Sequence, residues 1–95
     1  MVVGIGIITL RLYDIHSLKE KRKIVKSMIA KIQNSFNASV AETSLQDNLE
    51  MAEIGFSMVG NNRMVINSKI DKIFNYADEM GLAVIEDTEM ELINL

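Results

Sequence analysis

Apolar positions in this chain alternate, then step by three and four, then alternate again, and those changes of period outline its elements. Over residues 2–12 the pattern is that of a strand. Ile8, Leu10 and Leu12 share one face, and Ile7, Thr9 and Arg11 share the other. Gly4 and Gly6 fall on the Ile8 side, where a helix can approach closely. Leu18, Val25, Met28, Ile29, Ile32 and Phe36 then keep helical spacing, which predicts a helix from residue 18 to 34 or 35. Ser17 followed by Glu20 predicts a capping box at its start: the hydroxyl accepts from the Glu20 N–H, and the carboxylate reaches back to the Ser17 N–H.

Residues 37–42 read as a short second strand and 43–48 as a polar connection. From about Glu50 a third strand sets Ala52, Ile54, Phe56 and Met58 on one face and Glu53, Gly55, Ser57 and Val59 on the other. Gly60-Asn61-Asn62 breaks it, and either Asn can cap a second helix bearing Ile66, Ile70, Ile73, Ala77 and Met80, with Phe74 beside them. Gly81 ends that helix in left-handed backbone. Residues 82–93 form a last strand, acidic at Glu86, Asp87, Glu89 and Glu91; at a sheet edge those charges oppose aggregation. The order β-α-β-β-α-β, without linker or repeat, predicts one α+β domain over residues 1–95. It is a ferredoxin-like two-layer sandwich: a four-stranded antiparallel sheet, first and third strands central, with two helices on one face.

Hydrophobic content of 48% and charged content of 24% describe an ordinary globular domain. No apolar run is long enough to span a membrane, and the opening Met1-Val2-Val3-Gly4-Ile5 lacks a basic n-region and a cleavage site, so a cytoplasmic location is expected. The net charge of −3 conceals segregation. Residues 1–41 carry seven Lys and Arg against Asp14 and Glu20, whereas residues 42–95 carry three against eleven acids. At about 100° per residue, Lys19, Arg22, Lys23 and Lys26 fall in one sector of the first helix, the pattern of a phosphate-contacting face, with Lys21 and Arg11 contributing from its margin.

Other chemistry finds little support. Cysteine is absent and His16 stands alone, so no metal site or conventional catalytic triad is expected; His16 is assigned to the turn into the first helix. Glu42, Asp47, Glu50 and Glu53 could gather around a cation, but acids near a strand are far more often only solvated. The first helix is entered through Asp14-Ile15-His16-Ser17, without the glycine-rich phosphate loop and Arg of acylphosphatases. The open sheet face offers Ile7, Thr9, Arg11, Glu53, Ser57 and Val59 and no aromatic on which a base could stack. Ile5, Ile7 and Val59 line it instead, which suggests a homodimer through that face. No cofactor is expected.

Met1-Val2-Val3-Gly4, the run His16-Ser17-Leu18-Lys19-Glu20-Lys21-Arg22, and Asn37-Ala38-Ser39-Val40-Ala41-Glu42 resemble the bacterial YlxP-like proteins, small domains of unknown function. The resemblance covers essentially the whole chain and implies a ferredoxin-like fold. Genes of such proteins often sit beside those for transcription elongation, translation initiation and ribosome maturation, so it also implies a ribosome- or RNA-linked role. After Glu42 this chain departs from the pattern: Leu45 and Leu49 flank Gln46-Asp47 where those proteins often place a His and an aromatic. The leading expectation is a non-enzymatic accessory protein binding ribosomal RNA or a ribosomal particle. The alternatives are an oligomerisation module using its sheet face and a regulatory domain binding a small ligand.

Overall fold

A computed structural model describes all 95 residues. The elements run β1 (Val2–Arg11), α1 (Leu18–Ser35), β2 (Ser39–Ser44), β3 (Met51–Gly60), α2 (Arg63–Glu79) and β4 (Val84–Asn94). The strands form one sheet in the order β2-β3-β1-β4, and every neighbouring pair is antiparallel. This is the expected ferredoxin-like sandwich with β1 and β3 central.

Alternation places the core. Ile8 and Leu10 of β1 and Ala52, Ile54, Phe56 and Met58 of β3 are buried beneath Val25, Met28 and Ile32 of α1 and Ile66, Ile70, Ile73 and Ala77 of α2. α1 lies over β2 and β3, and α2 over β1 and β4. Gly4 allows this close approach, because a Cβ there would stand 2.5 Å from Ile66 Cγ2. Gly6 serves the ring of Phe56, which would lie 2.1 Å from an added Cβ and packs edge-on to Phe74. Val3, Ile5, Ile7, Thr9 and Arg11 face away from both helices, half-buried by neighbouring strands.

Both helices begin at side-chain caps. Asn62 Oδ1 accepts from the Val65 N–H at 3.1 Å, and Gly81 takes a φ of +65° just beyond the end of α2. Ser17 Oγ accepts from the Glu20 N–H at 3.2 Å, as its capping box predicts. The return arm differs: the Glu20 carboxylate accepts from the His16 N–H at 3.2 Å, one residue earlier than expected. Asp14 adopts left-handed backbone, φ +58°, so the entering turn brings His16 rather than Ser17 within reach.

Strand limits shift as well. β2 occupies Ser39–Ser44 rather than residues 37–42, because a register shift between Glu42 and Ser44 leaves Thr43 as the extra residue and returns Ser44 to the ladder opposite Glu53. β4 begins two residues later than expected and contains a bulge opposite Thr9 and Leu10, with Glu86 as the extra residue. The bulge lets Glu86 pair with Arg11.

Candidate phosphate-contacting face of the first helix

Lys19, Arg22, Lys23 and Lys26 are all exposed on α1 and recur at steps of three and four, which aligns them along one side over two turns. None has a carboxylate within ion-pair distance, since the two ion pairs of the protein use Arg11 and Lys21. Glu20, the only acid of α1, is engaged at the helix entrance. The acidic strand β4 lies at the sheet edge farthest from β2, whereas α1 covers the β2 side. Four bases of α1 therefore face solvent on the flank away from the acids of β4, while Glu42 on the near side is taken up by Lys21.

Two residues assigned to the margin of this face lie elsewhere. Arg11 is on the open side of the sheet, held by Glu86; that carboxylate, through its hydrogen bond and then its charge, pushes the guanidinium up from its ordinary value. Lys21 is fully buried and cannot contact a phosphate. Its Nζ donates to the Leu45 carbonyl and, at 3.4 Å, to the Gln46 carbonyl, and lies 3.4 Å from Glu42 Oε2. Lys21 sits three residues after Leu18 and four before Val25, in step with the buried stripe Val25, Met28 and Ile32. A cation in a core position was the available signal that it serves the interior.

Lys21 ties α1 to the loop between β2 and β3. Leu45, with φ +62°, opens a turn in which its carbonyl also accepts from the Asn48 N–H at 3.0 Å. Asn48 Oδ1 then accepts from the Glu50 and Met51 N–H groups at 2.8 and 2.9 Å, and the Glu50 carbonyl accepts from Leu12 N–H at 2.7 Å. One ammonium therefore joins α1, the loop and, through the loop, the end of β1. Glu42, Asp47, Glu50 and Glu53 do not converge: no group of three or more potential metal ligands is brought together. Glu42 faces Lys21, and Glu53 accepts from the Thr43 hydroxyl at 2.6 Å.

The open face retains Ile5, Ile7 and Val59, joined by Val3 and Ile93, which occupy the same row as Val59. Val59 is 64% exposed. A concavity of about 340 Å³ lies there, lined among others by Ile5, Ile7, Ala41, Thr43, Gly55 and Ser57. No aromatic side chain occupies that face, since Phe56 points to the helices. No helix is long and apolar enough to cross a membrane.

Among solved structures, the protein YJCS is similar over 97% of this chain and 99% of its own, with a TM-score of 0.61 at 12% identity. A de novo designed protein with a ferredoxin fold, LFR1 1, is similar over 100% of this chain and 87% of its own, with a TM-score of 0.56 at 15% identity. At such identities the likeness concerns the fold alone. In sequence, the uncharacterized protein YlxP of Bacillus subtilis (strain 168) is 31% identical over 67 residues, which is 70% of this chain and 73% of that protein. The family described as "Protein of unknown function (DUF503)" matches residues 3–90. The chain belongs to this family of YlxP-like proteins, whose function is unknown.

Proposed function

We propose that this chain is a non-enzymatic cytoplasmic accessory protein that binds ribosomal RNA or a ribosomal particle through the exposed bases of α1. The observation carrying this reading is the set Lys19, Arg22, Lys23 and Lys26: exposed, on one helix face, without acidic partners, and on the flank opposite β4. The ribosomal assignment draws on the YlxP-like resemblance. Contacts of this kind anchor a nucleic-acid backbone and carry no base sequence, so shape or a neighbouring protein supplies selectivity. The absence of aromatics from the open face argues against base stacking.

The test is co-sedimentation with ribosomal subunits across a salt series. Four phosphate contacts give a slope of about −3, or a loss of roughly 50-fold in affinity between about 50 and 200 mM salt. The variant Lys19/Arg22/Lys23/Lys26→Glu should remain in the supernatant and, because all four side chains are exposed, stay folded, with circular dichroism and a thermal melt as the check. The variant Arg63/Lys69/Lys72→Glu, altered on α2, should still pellet. If wild type fails to pellet, or both variants behave alike, the α1 face is not a binding surface.

A further inference from the structure

We propose that two copies of this chain associate through their open sheet faces, about a twofold axis running parallel to the strands midway between β1 and β3. The helices cover only one side of the sheet. The other carries the apolar row Val3, Val59 and Ile93, the central Ile5 and Ile7, and the concavity beside them at Gly55. Val59 is exposed and Val3, Ile5, Ile7 and Ile93 are partly so, and contiguous apolar surface of this kind usually marks an interface. Three strands of ten or eleven residues and the six-residue β2 cover roughly 550 Å² in projection and more in accessible area. That is comparable to the roughly 800 Å² per partner of a standard interface.

Register selects a second copy as the occupant. One cross-strand row reads Ala41, Gly55, Ile7, Glu89 from β2 to β4, and the next reads Ser39, Ser57, Ile5, Glu91. Rotation about the proposed axis reverses each row over itself. Ile7 of one copy then stands over Gly55 of the other, and Ile5 over Ser57, so a ridge on β1 meets the concavity on β3 twice, as an isologous contact requires. Glu89 and Glu91 lie over Ala41 and Ser39, uncharged positions of β2 on the open face (Glu42 of β2 turns to Lys21 on the other), where the Ser39 hydroxyl can donate to a carboxylate. Aligned packing about the other in-plane axis, perpendicular to the strands, would lay β4 on β4 and set Asp87, Glu89 and Glu91 against themselves. Charge and shape both select the first axis.

Sedimentation equilibrium of the full chain, from micromolar to millimolar concentration, tests this. Wild type should approach twice its mass of 10.7 kDa. Ile7→Glu buries a charge over Gly55 twice per dimer and should weaken association on the order of 100-fold. Val59→Lys, at a position 64% exposed in the monomer, should weaken it without disturbing the fold. Ala41→Lys faces the partner's Glu89 and should tighten the dimer, by roughly 3- to 10-fold for two rim pairs. A wild type that stays monomeric overturns the proposal, as do Ile7→Glu and Val59→Lys variants that associate like wild type. If Ala41→Lys weakens association, β2 lies over β2 and the proposed axis is wrong.

Discussion

Replacing Lys21 with Met removes one ammonium from the interior and keeps most of the stem that fills its place in α1. Three oxygens lose their cation: the carbonyls of Leu45 and Gln46 and the carboxylate of Glu42. Stranding one member of a buried ion pair costs about 3–5 kcal/mol. Here the cost falls toward the lower end, because the Glu42 side chain is 18% exposed and water can reach part of it. An expected loss of about 3 kcal/mol is roughly a fifth to three-fifths of the 5–15 kcal/mol typical of a domain. It should lower the melting temperature by roughly 12–20 °C.

Urea unfolding measures this, with Lys23→Met as the exposed control, expected to stay within about 0.5 kcal/mol of wild type. Glu42→Gln completes a double-mutant cycle. Alone it should cost about 1 kcal/mol, and in the Lys21→Met background little or nothing, a coupling of about 1 kcal/mol. Amide exchange supplies a local readout, because the Asn48 N–H shares the Leu45 carbonyl with Lys21 and should exchange faster once that turn loosens. A Lys21→Met cost below about 1 kcal/mol, or strictly additive Lys21 and Glu42 effects, would refute the assignment of Lys21 as the tie between helix and loop.

Two further substitutions test backbone and packing. Gly6→Ala drives a methyl into the ring of Phe56 and should destabilise by about 2–3 kcal/mol in urea unfolding, with near-ultraviolet dichroism reporting the disturbed Phe56–Phe74 pair. Leu45→Asn places a residue suited to left-handed backbone at φ +62° and should stabilise by about 0.5 kcal/mol at unchanged m-value. A loss of stability there would mean that the packing of Leu45 outweighs its backbone strain.

The sheet order, the two helix faces and the caps at Ser17 and Asn62 were legible because each rests on local period or on residues three apart. What escaped depends on pairing across distance or on backbone of unusual sign. Lys21 was read by its charge, with Arg22 and Lys23 beside it, although its spacing from Leu18 and Val25 belongs to the core. Its partners lie more than twenty residues away, Glu42 on β2 and two carbonyls on a loop whose left-handed Leu45 no glycine announces. The bulge that brings Glu86 to Arg11 is likewise invisible in β4, where alternation is weak because the strand is exposed along most of its length.

The proposed phosphate contacts of α1 and the proposed sheet-face dimer make compatible demands on one molecule. Both α1 helices lie on the outside of the proposed dimer, and rotation about an axis parallel to the strands leaves their N-termini at the same end. The partner's acidic β4 would then lie beneath β2. It would be separated from the α1 bases by one helix-to-sheet layer and one sheet-to-sheet layer, about 20 Å in all. That distance is about two and a half times the screening length at physiological salt, so the partner's acids would not cancel attraction for a phosphate backbone. Two basic faces at one end would give a bivalent contact. Ile7→Glu should therefore weaken ribosomal binding through lost avidity while leaving the intrinsic four-phosphate salt slope of each copy in place. Loss of that slope in a folded monomeric Ile7→Glu variant would show instead that the sheet face itself touches the nucleic acid.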